Sequence, residues 1–96
     1  MKKQLSPLFF EKLKTVDVRI RKSFEEKIVV FEKNPFDPRL NNHPLKEPYE
    51  GLRSIDITSD YRAVYEEVPA GKETVAYFSL LGTHKELYKR HPQTQE

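Results

Sequence analysis

In the segment "GTHKELY", residues 82–88, an imidazole (His84) and a phenol (Tyr88) come directly after the apolar run "VAYFSLL". Four residues apart on a helix, the two would share one face. His43 lies in a proline-rich loop and Asp60 in a Ser-Asp turn, and Lys46, Arg53, Arg62 and Lys85 are scattered around these positions. Such a set suits RNA cleavage without a metal. A base takes the proton from a 2′-hydroxyl, an acid protonates the leaving 5′-oxygen, and cations hold the charge on the phosphate. Histidine titrates near neutral pH and can do either proton job. Arginine and lysine suit the phosphate.

Each residue also has a plainer reading. A loop histidine such as His43 is commonly a surface residue. Asp60 is a good turn former. Tyr88 can anchor a terminal helix with its hydroxyl in water, and Arg62 can guard an edge strand. His91 lies in the polar tail "HPQTQE" and is given no role. The three histidines lack H-x-x-x-H spacing, so no metal site and no cofactor are expected.

The elements that must position these groups are short. Ninety-six residues allow one domain, here 1–96, with 91–96 read as a frayed tail. The chain has no cysteine, which removes disulfides and Cys-based zinc or nucleophile chemistry. No apolar run approaches the ~20 residues of a membrane span. No signal peptide is recognised, and the cytoplasm is the expected location. The net charge of +2 is small; residues 1–33 hold nine Lys/Arg against five Asp/Glu. That excess alone is no nucleic-acid footprint.

Lys2–Leu5 can form a short first strand. Ser6 and then Pro7 signal a helix start, with an end near Thr15. Asp17 offers a second cap, and Ile20, Phe24, Ile28 and Phe31 trace one apolar helical face up to Pro35. Four prolines between Asn34 and Gly51 predict a stiff loop without regular structure. "LRSIDIT", "YRAVYEEV" and "TVAYFSLL" then read as three strands of an antiparallel meander, with the short helical piece "HKELYKR" after them. The predicted fold is α+β: two helices on one face of a small twisted antiparallel sheet, with the other face open to bind.

A two-residue Ser59-Asp60 hairpin would pair Thr58 with Tyr61. Tyr61, Ala63 and Tyr65 would then join Ser54, Asp56 and Thr58 on the open face, and Arg62 would start on the helix side. Arg53 would fall on the apolar side with the isoleucines. Gly82 is expected to end the last strand, with Thr83 capping the short helical piece.

Taken together, "NNHPLKEPYEGLRSIDITSDYRAVY" and "LLGTHKELY" resemble the YafQ branch of the RelE/ParE superfamily, toxins of type II toxin–antitoxin systems. The resemblance implies a ribosome-dependent mRNA endonuclease (an mRNA interferase) that acts in the ribosomal A site and is neutralised by a cognate antitoxin. It implies catalytic roles for His43, Asp60, His84 and Tyr88. Lys46, Arg53, Arg62 and Lys85 would contact RNA phosphates, and Tyr61, standing where the family usually has tryptophan, would also bind RNA with a ring on which a base can stack. One departure is Asp56, which occupies the position of a catalytic strand histidine in the YafQ branch. A carboxylate can act as a base or orient a histidine, but it cannot replace an imidazole acid at neutral pH. There are two rival readings: a catalytically weak or inactive homologue that acts only as an antitoxin- or ribosome-binding module, and a ParE-like toxin that poisons DNA gyrase. The second does not need the His43–Asp60–His84 set.

Overall fold

Two capped starts organise the N-terminal half of the computed structural model, which describes residues 1–88. Ser6 Oγ accepts from the Phe9 amide at 3.0 Å, and Pro7 takes the first position of helix α1 (Pro7–Thr15). Asp17 Oδ1 accepts from the Arg19 amide at 2.8 Å and opens α2 (Val18–Lys33). Each cap satisfies a helix-end N–H that has no partner inside the helix. On α2, Phe24, Ile28 and Phe31 are buried and Ile20 partly so, the face their spacing predicts.

The helices cover one face of a five-stranded sheet. Its strands are β1 (Lys2–Leu5), β2 (His43–Pro44), β3 (Arg53–Asp56), β4 (Tyr61–Ala70) and β5 (Glu73–Thr83), in the order β1-β5-β4-β3-β2. A short helix, α3 (His84–Tyr88), comes last. Aromatic rings fill the space between helices and sheet. Phe31 lies 5.1 Å from Tyr65 and 5.3 Å from Phe78, and Phe9 lies 5.3 Å from Phe24. Such tilted and edge-on pairs contribute about 0.5–1.5 kcal/mol each beyond area burial. No helix of the described residues is long and apolar enough to cross a membrane.

The α+β architecture agrees with the sequence reading, but four details differ. First, the sheet is mixed, because β1 runs parallel to β5, pairing Leu5 with Phe78. Second, the proline-rich loop is not devoid of regular structure. It holds a 3-10 turn (Pro38–Leu40) and the two-residue strand β2, which pairs His43 with Ser54 and Pro44 with Arg53. Proline is tolerated there because β2 is an edge strand.

The third difference decides which side chains share the open face. The β3–β4 hairpin pairs Asp56 with Arg62 and Ile55 with Ala63, so its loop has one residue more than expected. Thr58 Oγ1 accepts from the amides of Asp60 (3.2 Å) and Tyr61 (3.0 Å) to close it. A one-residue slip turns every side chain of a strand over. Ala63 and Tyr65 therefore lie in the core, fully buried, and Tyr61 packs against it, while Arg62 stands on the open face beside Asp56. The alternative register would have exchanged the burial of Tyr65 for that of a guanidinium, which is far costlier.

Fourth, Gly82 does not end β5, which continues to Thr83. Gly82 pairs with Arg62 inside the strand. Its missing side chain leaves room for the Glu86 carboxylate that caps α3: a Cβ there would lie 2.9 Å from Glu86 Oε1. The open face is thus partly roofed by α3, and Val64 and Ser54 on it are buried, at 0% and 2% exposure. Of the expected "HKELYKR" piece, Lys89 and Arg90 lie outside the described residues, as do His91 and the tail.

Candidate functional site

Strand register sets out the site in two rows on the open face. One row runs His43, Ser54, Val64, Leu80; the next runs Asp56, Arg62, Gly82, and His84 begins α3 two residues beyond. Asp56 and Arg62 form an ion pair, with Nε and Oδ1 3.1 Å apart and side chains only about a quarter exposed, at 28% and 24%. Asp56 Oδ1 is shielded from solvent and accepts no hydrogen bond, so the contact is Coulombic rather than a directed bond. Arg62 Nη1 also donates to the carbonyls of Thr58 and Ser59, both at 3.1 Å, and of Tyr61 at 3.3 Å. One guanidinium thus ties the turn that carries Asp60 to the strand that carries Asp56. From the other side of the sheet, Lys27 Nζ of α2 donates to the Ile57 carbonyl at 3.0 Å.

Asn41 links His43 to this pair. Its side-chain amide donates to Asp56 Oδ2 at 3.2 Å, and its carbonyl lies 2.8 Å from His43 Nδ1. A carbonyl only accepts, so Nδ1 carries a proton, and the neutral ring has its lone pair on Nε2.

Helix α3 is held by reciprocal capping. The Thr83 amide donates to Glu86 Oε1 at 2.9 Å, and the Glu86 amide donates to Thr83 Oγ1 at 3.0 Å. The hydrogen bond from the Thr83 amide holds the Glu86 carboxyl below its ordinary pKa, and Lys12, 3.5 Å away, adds to this. The His84 and Tyr88 rings lie 4.7 Å apart, on one face as their spacing predicts. Tyr49, from the proline-rich loop, packs edge-on against Tyr88 at 5.3 Å, and its hydroxyl donates to the Leu87 carbonyl. Burial, and secondarily Tyr49, raises the Tyr88 phenol above its ordinary pKa.

Of the residues singled out from sequence, His43, Arg62, His84 and Tyr88 are partly or wholly fixed by these contacts. Asp60, at the tip of the turn, and Lys46 and Lys85 are exposed. Tyr61 faces the helix side and packs against the core. Arg53 also faces that side. Its Nε donates to Asn42 Oδ1 at 2.8 Å, and its guanidinium lies 5.2 Å from the centre of the Phe36 ring. Asn42 in turn donates to the Tyr65 hydroxyl at 2.8 Å and to the Pro35 carbonyl at 2.8 Å. Asn41, Asn42 and Tyr49 were not singled out from sequence. The one signal for Tyr49 is an aromatic residue between Pro48 and Glu50 in a proline-rich loop; the asparagines read as ordinary turn residues.

The fold is that of a RelE/ParE-like toxin, with a likeness to the YafQ branch. It is similar to a YoeB/ParE toxin from Agrobacterium tumefaciens, with a TM-score of 0.69 and 23% identity over 88% of this chain and 99% of that one. It is also similar to YafQ from E. coli, with a TM-score of 0.71 and 20% identity over 91% of this chain and 97% of that one. YafQ is a neighbour in its DinJ complex too, with a TM-score of 0.56 and 18% identity over 91% of this chain and 97% of that one. A copper-bound mutant toxin from Helicobacter pylori matches with a TM-score of 0.57 and 27% identity over 91% of this chain and 98% of that one. Among the described residues of the present chain, no three His, Asp or Glu side chains group as a metal-ligand set. No family model matches the sequence, and no curated protein is significantly similar to it.

Proposed function

We propose that the protein is the toxin of a type II toxin–antitoxin system and cuts mRNA in the ribosomal A site. The observation that carries this is the open-face arrangement: His43 in one strand row, the Asp56–Arg62 pair in the next, and His84 just past the end of that row. In the proposed reaction a base removes the 2′-hydroxyl proton and the 2′-oxygen attacks phosphorus. The 5′-oxygen leaves with a proton from an acid, giving a 2′,3′-cyclic phosphate and a 5′-hydroxyl. His84 transfers one proton, and His43 or Asp60 handles the other. Tyr88 supports the His84 ring or stacks on a base. Lys46, Lys85 and Arg62 offset phosphate charge, with Arg53 and Tyr61 at the margin of the footprint. The target places the protein in the cytoplasm. The complexed toxin among its structural neighbours supports a cognate antitoxin as its other partner.

The test is cleavage of mRNA on programmed ribosomes. His84→Gln keeps hydrogen bonding but cannot titrate, and should slow cleavage by about a hundredfold to ten-thousandfold with an unchanged circular dichroism spectrum. A folded variant that cuts like the parent removes His84 from the chemistry. One observation favours a second reading, a binding module without cleavage: the Asp56 carboxylate already serves Arg62 and Asn41. A parent that binds ribosomes and leaves mRNA whole would establish that reading instead.

A further inference from the structure

We infer that Asn41 is a positioning residue that holds His43 in the Nδ1–H tautomer, so that Nε2 is the nitrogen able to take a proton. The inference deepens the cleavage reading and draws its purpose from it, but the tautomer can be measured without any cleavage.

The physical basis begins in the backbone. Asn41 closes the 3-10 turn in the left-handed region, at φ 49° and ψ 47°. Asparagine is among the few residues that tolerate this conformation. The conformation turns the Asn41 carbonyl back toward the residue two places on, 2.8 Å from His43 Nδ1. Asn41 is itself held at both ends. Its amide donates to the Pro38 carbonyl at 3.3 Å, and its side chain donates to Asp56 Oδ2 at 3.2 Å. The His43 backbone is fixed by pairing with Ser54 in β2.

An unrestrained surface imidazole exchanges between tautomers and favours the Nε2–H form. A proton acceptor in catalysis needs its lone pair on one defined nitrogen, and a hydrogen bond to the other nitrogen supplies that. Because the acceptor here is a main-chain carbonyl, the conformation of residue 41 matters more than its side chain. This separates two substitutions. Asn41→Gly keeps access to positive φ and removes only the amide. Asn41→Val opposes positive φ and swings the carbonyl away. Asn41 is exposed, so neither change disturbs the core.

The experiment reads the His43 ring nitrogens by two-bond proton–nitrogen NMR at a pH where the ring is neutral, beside single-turnover cleavage on ribosomes. The parent and Asn41→Gly should show the Nδ1–H form. Asn41→Val should show a shift toward Nε2–H, with cleavage slowed about tenfold to a hundredfold at saturating ribosomes and KM little changed. If Asn41→Val does not fold, Asn41→Ala, with a milder bias against positive φ, takes its place. A parent ring in the Nε2–H form, or an unchanged tautomer in folded Asn41→Val or Asn41→Ala, would overturn the inference. The tautomer pattern in a parent that never cuts mRNA would support the inference and sink the cleavage reading alone.

Discussion

The β3–β4 and β4–β5 hairpins of the sheet are closed by different means. Between β4 and β5, Ala70 pairs with Glu73 and the loop is Gly71-Lys72. Gly71 sits at φ 66°, a conformation in which a side chain is strained, and a Cβ there would meet nothing within 4 Å. This turn is closed by local backbone preference. Between β3 and β4 the loop contains no glycine. Thr58 Oγ1, three carbonyl contacts from Arg62 and a reach from Lys27 of α2 hold it instead. The proposed chemistry gathers around this second turn and the adjoining ends of β2 and β5. The difference teaches that local preference is enough to reverse a chain, whereas setting several side chains around a substrate takes bonds from distant elements.

Replacing Arg62 should break this contrast most strongly. Arg62→Ala removes the ion pair and the carbonyl contacts together, and leaves Asp56 Oδ1 shielded without its cation. A loss of about 2 kcal/mol is expected after allowance for partial exposure, together with weaker ribosome binding that depends less on salt. Urea unfolding and ribosome binding at two salt concentrations measure both. A variant as stable as the parent would mean that the turn closes without Arg62.

A smaller effect is expected from Gly71→Ala. Holding alanine at positive φ costs about 1–2 kcal/mol. Ribosome binding and cleavage should match the parent, since none of the proposed site residues lies on that turn. Impaired cleavage in a folded variant would erase the functional distinction between the hairpins.

The smallest effect tests the cap of α3. Glu86 has its carboxyl pKa lowered below 4.5 in the folded protein, chiefly by the Thr83 amide. The stabilisation is present above the unfolded value and is lost as pH falls through the lowered folded value. The Thr83 amide resonance should therefore shift with a midpoint below pH 4.5 and stay still in Glu86→Gln. A midpoint at or above the ordinary carboxylate value would mean that the cap does not form in solution.

Much of this is legible in the chain itself. Ser6-Pro7 and Asp17 mark the helix starts, and the four-and-three spacing from Ile20 to Phe31 marks the buried face. The period of two around Ile55 and Ile57 marks a strand. The pairing of His84 with Tyr88 comes from helix geometry alone. These are local signals, set by a residue and its neighbours within about one turn or one strand. The hairpin register is not legible in the same way, and the sequence reading places it one residue off. Thr58-Ser59-Asp60 and Ser59-Asp60 are both acceptable loops by local chemistry.

The sequence by itself determined the helices and the four longer strands, the two helix-start caps, the apolar helical stripe and the residues with proton and phosphate chemistry. The tertiary structure alone decided which face of β4 enters the core. It seated Tyr65 against Phe31 and so turned Arg62 outward onto Asp56. It also placed Gly82 inside β5 beside the Glu86 carboxylate rather than at a strand end, and bound Tyr49 to α3 through Tyr88 and Leu87. The physical reason is range. Caps and periodicity depend on groups a few residues apart, whereas register and site geometry depend on which distant surfaces exclude water together.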